Sequence, residues 1–184
     1  MKDNLLFQHN PMVIKIPSPQ KILIIYNPIS SAGNTEAMAC KLETELMFHG
    51  KTVEVRTSEK KMKGYMRISD DIAASDLVVV VGGDGTIRKL LDIINKTATP
   101  IYAIPGGNES LFARFYEMSA SAEDLLQSIT SGTCLQQFYG LISGKGIQGE
   151  KPFFNMASMG LDSLTVKNIG KRKGPLNDSI YVWH

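Results

Sequence analysis

Four short stretches of this chain carry residues suited to holding an anion. They are "NPISSAGN" from Asn27, "TS" at Thr57, "GGDGT" from Gly82 and "PGGN" from Pro105. Glycines such as Gly33, Gly82, Gly83, Gly85 and Gly107 let backbone N–H groups approach an anion closely. A helix opening at Thr86 adds the positive end of its dipole. Pro28, Ser30, Ser31 and Asn108 complete polar loops around them, and Asp84 puts a carboxylate in the third stretch. That combination suits a nucleotide phosphate. The plain alternatives are a tight strand–helix turn capped by Asp84 and, for "NPISSAG", an ordinary loop.

The elements around these stretches decide whether they meet. "KILIIYN", "TVEVR", "LVVVV" and "PIYAIP" read as strands, each followed by a helical pattern. "LVVVV" is too apolar to be half exposed and is expected at the centre of the sheet. In the helix after it, Ile87, Leu90, Leu91 and Ile94 form one apolar stripe. Asn34 is the expected cap of the first helix and Ser121 of the last. Four β–α units predict a Rossmann-like α/β domain over residues 21–132, with a parallel sheet and helices on both faces. Ligands then bind outside the carboxyl ends of the strands, where all four stretches fall. From Thr133 the pattern turns to strands without crossover helices. Residues 133–184 are therefore expected to begin a β-rich, sandwich-like unit. Residues 1–20, interrupted by Pro11, Pro17 and Pro19, read as a loosely ordered lead-in.

Composition narrows the function classes. At 43% hydrophobic and 21% charged residues, the chain has the makings of an ordinary globular core. A net charge of +2 gives no reason to expect nucleic acid. No apolar run approaches the ~20 residues of a membrane span, and a cytoplasmic setting is expected. Cys40 and Cys134 have no metal-type spacing and are expected to be buried free thiols. The three histidines, His9, His49 and His184, are scattered. Neither GxxxxGK[ST] nor a helix-opening GxGxxG after the first strand is present.

The order "NPISSAGN", "VVVVGGDGTI", "IPGGNESLFAR", "FNMASMGLD" resembles the catalytic domain of diacylglycerol and sphingosine kinases, over about residues 21–166. The resemblance implies an ATP-dependent, Mg²⁺-assisted lipid kinase of phospholipid metabolism, acting on a lipid substrate at a membrane surface. It implies a β-sandwich on the lipid side and an active site in the cleft between the two units. Asn27 and its loop, Thr57 and Gly82–Thr86 then fall at nucleotide-contacting positions. Asp84 matches the carboxylate that the sphingosine-kinase branch uses as base, whereas bacterial diacylglycerol kinases place their base much later in the chain. Asp162 falls near an acidic residue that recognises lipid head groups.

Departures from the pattern are specific. Lys89 stands where GGDGT-x-x-E has glutamate, which removes an acidic partner and offers a phosphate-directed cation. In the fourth loop Asn108 replaces threonine, Ser110 asparagine and Leu111 aspartate, while Ala113-Arg114 remain. The chain ends soon after the second unit begins, so a fragment or a truncated member is expected. Its open strand edges leave room for a homodimer. "KNIGKRKGP", Lys167 to Pro175, is a solvated loop or a peripheral membrane contact. Two other functions compete: an NAD kinase-like enzyme, and a catalytically degenerate nucleotide-binding domain.

Overall fold

A computed structural model describes residues 12–30, 33–58, 68–147 and 149–154. The described chain runs β1 (Met12–Lys15), β2 (Lys21–Tyr26), α1 (Thr35–Phe48), β3 (Thr52–Thr57), α2 (Ser69–Ala73), β4 (Leu77–Gly82), α3 (Asp84–Thr97), β5 (Ile101–Pro105), α4 (Leu111–Phe115), α5 (Ala122–Ser131), β6 (Thr133–Gln136), β7 (Gly140–Ile142) and β8 (Lys151–Phe153). The expected α/β architecture is present. β2 to β5 form a four-stranded parallel sheet in the order β3-β2-β4-β5.

Strand alternation sorts the core into two layers. Ile22, Ile24, Val79, Val81 and Ile104 face α1 and α5, meeting Ala39, Leu42, Leu46, Leu125 and Ile129. Leu23, Ile25, Val78, Val80 and Ala103 face the opposite way, onto Ile72 of α2, Ile87 and Leu90 of α3 and Ala113 of α4. Every residue of β4 is buried, as expected of a central strand between two helical layers. β3 lies at one edge of this sheet and alternates between exposed and half-buried residues.

Several local expectations are corrected. Met12–Lys15, within the stretch read as a loose lead-in, is a strand paired antiparallel with β6 from Met12↔Gln136 to Lys15↔Thr133. The pairing joins segments more than a hundred residues apart, so no local pattern announces it. Cys40 is exposed rather than buried and Cys134 half-buried; both are free. Cys40 lies off the α1 stripe of Ala39, Leu42 and Leu46 that meets the sheet. Burial pushes the Cys134 thiol pKa up. Asn34 precedes α1 without a side-chain cap bond, whereas Ser121 caps α5 through the Asp124 N–H at 3.4 Å.

Asp76 ties the starts of the two central strands together. Its Oδ2 accepts the backbone N–H of Gln20 and of Lys21, each at 2.9 Å, and its own N–H donates to Lys21 O at 2.8 Å. The Lys21 N–H and then the Gln20 N–H hold its carboxyl below the ordinary aspartate range. A lowered folded pKa means stability that is present above the unfolded value and lost as pH falls towards the folded one. Asp76→Asn should therefore cost about 1 kcal/mol near neutral pH, allowing for the site's solvent exposure. In urea titrations at stepped pH, the gap from wild type should close below about pH 4.

Candidate functional site

The sheet order reverses between β2, whose chain leaves through α1 to one side, and β4, whose chain leaves through α3 to the other. Their carboxyl ends frame the crevice where an open α/β sheet takes its ligand. An open cleft of about 300 Å³ lies there. Asn27, Ile29 and Ser30 form one wall; Gly83, Gly85 and Thr86 form the floor; Arg88 and Lys89 form the other side.

Asn27 holds the first loop through all its polar groups. Its N–H donates to Val81 O at 3.0 Å, and its carbonyl accepts the Thr35 hydroxyl at 2.7 Å and the Ser30 N–H at 3.1 Å. Its side-chain Nδ2 donates to Thr86 Oγ1 at 3.2 Å, and Oδ1 accepts the Ile29 N–H at 3.3 Å. Asn27 thus fixes the loop after β2 against the start of α3. The Ser30 hydroxyl donates to Gly106 O, joining the same loop to the one after β5.

The glycines divide into two kinds. Gly82 and Gly83 lie back to back with Gly106 and Gly107. A Cβ on Gly107 would stand 2.7 Å from Gly83 Cα, and one on Gly106 would stand 3.1 Å from Gly82 Cα. Here the missing side chains allow two backbones to touch, and Gly106 N–H donates to Gly82 O at 3.1 Å. Gly85 differs: a Cβ there meets nothing within 4 Å, and the residue lies in the first turn of a helix. Neither packing nor backbone angle requires glycine at 85, and the residue lines the cleft. The N–H groups of Asp84 and Gly85 precede the first closed turn, which Thr86 N–H makes to Gly83 O at 2.9 Å.

Asp84, expected as the base, makes two backbone contacts here. Its Oδ2 accepts the Leu111 N–H and its Oδ1 the Phe112 N–H, both at 2.9 Å. The carboxylate caps α4, neither its own helix nor the cleft. Ser110, at the N-cap position of α4, has φ +46° and makes no cap bond with its side chain. Its hydroxyl turns back to Gly107, accepting that N–H at 3.1 Å. The first-turn N–H groups of α4 therefore need an outside acceptor, and Asp84 supplies it.

Of the residues expected at the site, Asn27, Ser30, Gly83, Gly85 and Thr86 come together around the cleft. Gly82 and Gly107 stand behind it as packing. Pro28 and Asn108 are exposed outside its lining, Gly33 turns the first loop at φ +69°, and Thr57 ends β3 away from it. Ser31, Asp162 and the basic stretch 167–175 lie outside the described residues. The sequence reading missed Arg88 as a lining residue. Its signal was helical spacing: Arg88 and Lys89 sit one turn beyond Asp84 and Gly85.

Comparison with known proteins gives the family and the fold. Residues 21–139 match the family described as the diacylglycerol kinase catalytic domain. A Streptococcus pneumoniae protein named "Putative lipid kinase" is 25% identical over 139 residues, covering 69% of this chain and 47% of that one. The crystal structure of a diacylglycerol kinase from Bacillus anthracis superposes with a TM-score of 0.51 at 21% identity, over 63% of this chain and 41% of that chain, a likeness of fold. This chain spans a little under half the length of either relative. With residues 21–139 matched, well over half of its length, the chain belongs to the diacylglycerol kinase catalytic domain family, a family of lipid kinases.

Proposed function

We propose that this chain carries the nucleotide side of an ATP-dependent lipid kinase, which transfers the γ-phosphate of ATP to a lipid hydroxyl of diacylglycerol, acylglycerol or sphingoid type. One observation carries the reading: in a chain of this family, the cleft at the sheet's switch point joins free helix N–H groups, an unfilled space at Gly85 and two cations, Arg88 and Lys89. Those donors suit a polyphosphate. The unit over residues 21–132 would hold ATP, and the strands from Thr133 would begin the lipid side. The lipid would be met at a membrane surface; among the described residues no helix is long and apolar enough to cross one.

Phosphoryl transfer depends on positioning and charge stabilisation. The bond from the γ-phosphorus to the ADP oxygen breaks, a bond to the lipid oxygen forms, and the lipid hydroxyl's proton passes to water. Asp84, with both oxygens accepting backbone N–H groups, is suited to positioning rather than to taking that proton. Mg²⁺ fits the cleft poorly as a protein-held ion. Among the described residues no carboxylate lines it, and they contain no cluster of three His, Cys, Asp or Glu.

The direct test supplies radiolabelled ATP with vesicles of mixed glycerolipids and sphingoid bases. Label in a lipid phosphate is the expected outcome. ATP binding without lipid labelling would instead support a nucleotide-binding domain, and formation of NADP from NAD an NAD kinase-like enzyme. The glycines offer a second test. Gly107→Ala should destabilise the fold by roughly 1–3 kcal/mol, through forced backbone movement. Gly85→Ala should stabilise it by roughly 0.5–1 kcal/mol in thermal unfolding while weakening ATP binding. For Asp84→Asn, one amide N–H group would confront a helix N–H donor. A loss of about 1–3 kcal/mol in stability is expected. Unchanged stability with a roughly 10²–10⁴-fold loss of labelling would restore Asp84 as the base.

A further inference from the structure

We infer that Ile29 receives the nucleoside end of the ligand, through an apolar contact with the base, while the glycine floor of the cleft takes the phosphates. The inference rests on the nucleotide reading above and adds to it the wall on which the base lies.

The cleft has two chemically different parts. Gly83, Gly85 and Thr86 at its floor offer backbone and hydroxyl groups suited to phosphate oxygens. The wall after β2 presents Ile29, whereas the other described lining residues are polar, charged or glycine. Ile29 is 70% exposed. A single exposed apolar side chain is commonplace on a surface. This one differs because its loop is tied down. Ile29 N–H donates to Asn27 Oδ1 at 3.3 Å, Ser30 N–H to Asn27 O at 3.1 Å and Gly33 N–H to Ser30 O at 3.0 Å. The Ser30 hydroxyl reaches across to Gly106 O. The polar groups beside Ile29 are thus used in bonds within the protein, and its side chain is what that wall offers a ligand. Branching at Cβ stiffens it at χ1. A pre-positioned apolar group of this kind gains free energy from an apolar partner at little ordering cost.

A nucleoside triphosphate has the matching division of polarity. One end is a charged phosphate chain, and the other is the flat apolar face of a base. A lipid also carries apolar surface, but the proposed lipid side lies on the other flank. Phe154, beyond β8, packs edge-on to Phe112 of α4, in the layer of Ile87 and Leu90. The Ile29 loop leads into α1, whose Ala39, Leu42 and Leu46 pack in the opposite layer.

The test is calorimetric titration of the full chain, in one MgCl₂ buffer, with ATP and with inorganic tripolyphosphate. The wild type should bind ATP more tightly than tripolyphosphate. Ile29→Ala should weaken ATP binding roughly 5–30-fold, the range for losing part of a buried aliphatic side chain, and leave tripolyphosphate within about twofold. Ile29→Val, which keeps the branch, should retain most of the ATP affinity. A wild type that binds ATP no more tightly than tripolyphosphate would overturn the inference and leave a phosphate site standing. Equal weakening of both ligands by Ile29→Ala would overturn it too, because the residue would then be holding the loop. Unchanged ATP affinity in Ile29→Ala would also overturn it, and a raised lipid KM in the labelling assay would then assign Ile29 to the lipid. Binding of neither ligand by the wild type would remove the nucleotide reading and the inference with it.

Discussion

At the carboxyl edge of the sheet, two backbones touch with no side chain between them, and the site depends on that contact. Beyond the ends of β4 and β5 the chains could diverge, as loops usually do. Instead the pairing continues one step further, from Gly106 N–H to Gly82 O, and Gly83 and Gly107 press together. The starts of α3 and α4 are thereby brought within reach of one short aspartate side chain. The cleft is what remains open on the other flank of the same glycine loop, between it and the Asn27 turn. Packing and ligand space are opposite sides of one turn.

That arrangement gives Asp84 a mechanical role. Its carboxylate joins the first turn of α3 to the first turn of α4. Phe112 of α4 meets Tyr116, with ring centroids 4.8 Å apart, and Phe154, 5.3 Å away and edge-on. Phe154 follows β8, in the β-rich segment. A continuous path of contacts thus runs from the cleft floor, through Asp84 and α4, to Phe154 beyond β8. In phosphoryl transfer the placement of two substrates relative to one another supplies much of the rate.

The parts legible in the sequence were those governed by local periodicity. The continuous apolar run "LVVVV" is the buried strand it was expected to be, and of the expected stripe Ile87, Leu90, Leu91 and Ile94, Ile87 and Leu90 pack on the sheet with Ile94 half-buried beside them, while Leu91 is buried. The clustering of strand ends was legible too, because a parallel sheet forces it. What escaped was set by contacts distant in sequence. Nothing near Asp84 shows that its partners lie at residues 111 and 112. The glycine-rich signature could not reveal that Gly82 and Gly83 serve packing while Gly85 faces space. The β1–β6 pairing joins the two ends of the described α/β unit, and the apolar surroundings of Cys40 conceal which side of α1 it occupies.

The departures from the family motif are not independent of one another. Ser110 and Leu111 lie where α4 begins, beside Asp84, and Lys89 lies one turn into α3. An aspartate at position 111 would set a second carboxylate beside Asp84 and repel it from the helix N–H groups it now caps. A leucine there leaves the α4 terminus to Asp84 alone. Ser110, with its hydroxyl turned to Gly107, leaves the same N–H groups unsatisfied by its own side chain. The departures at 110 and 111 thus meet at one contact, the Asp84 carboxylate on the first turn of α4.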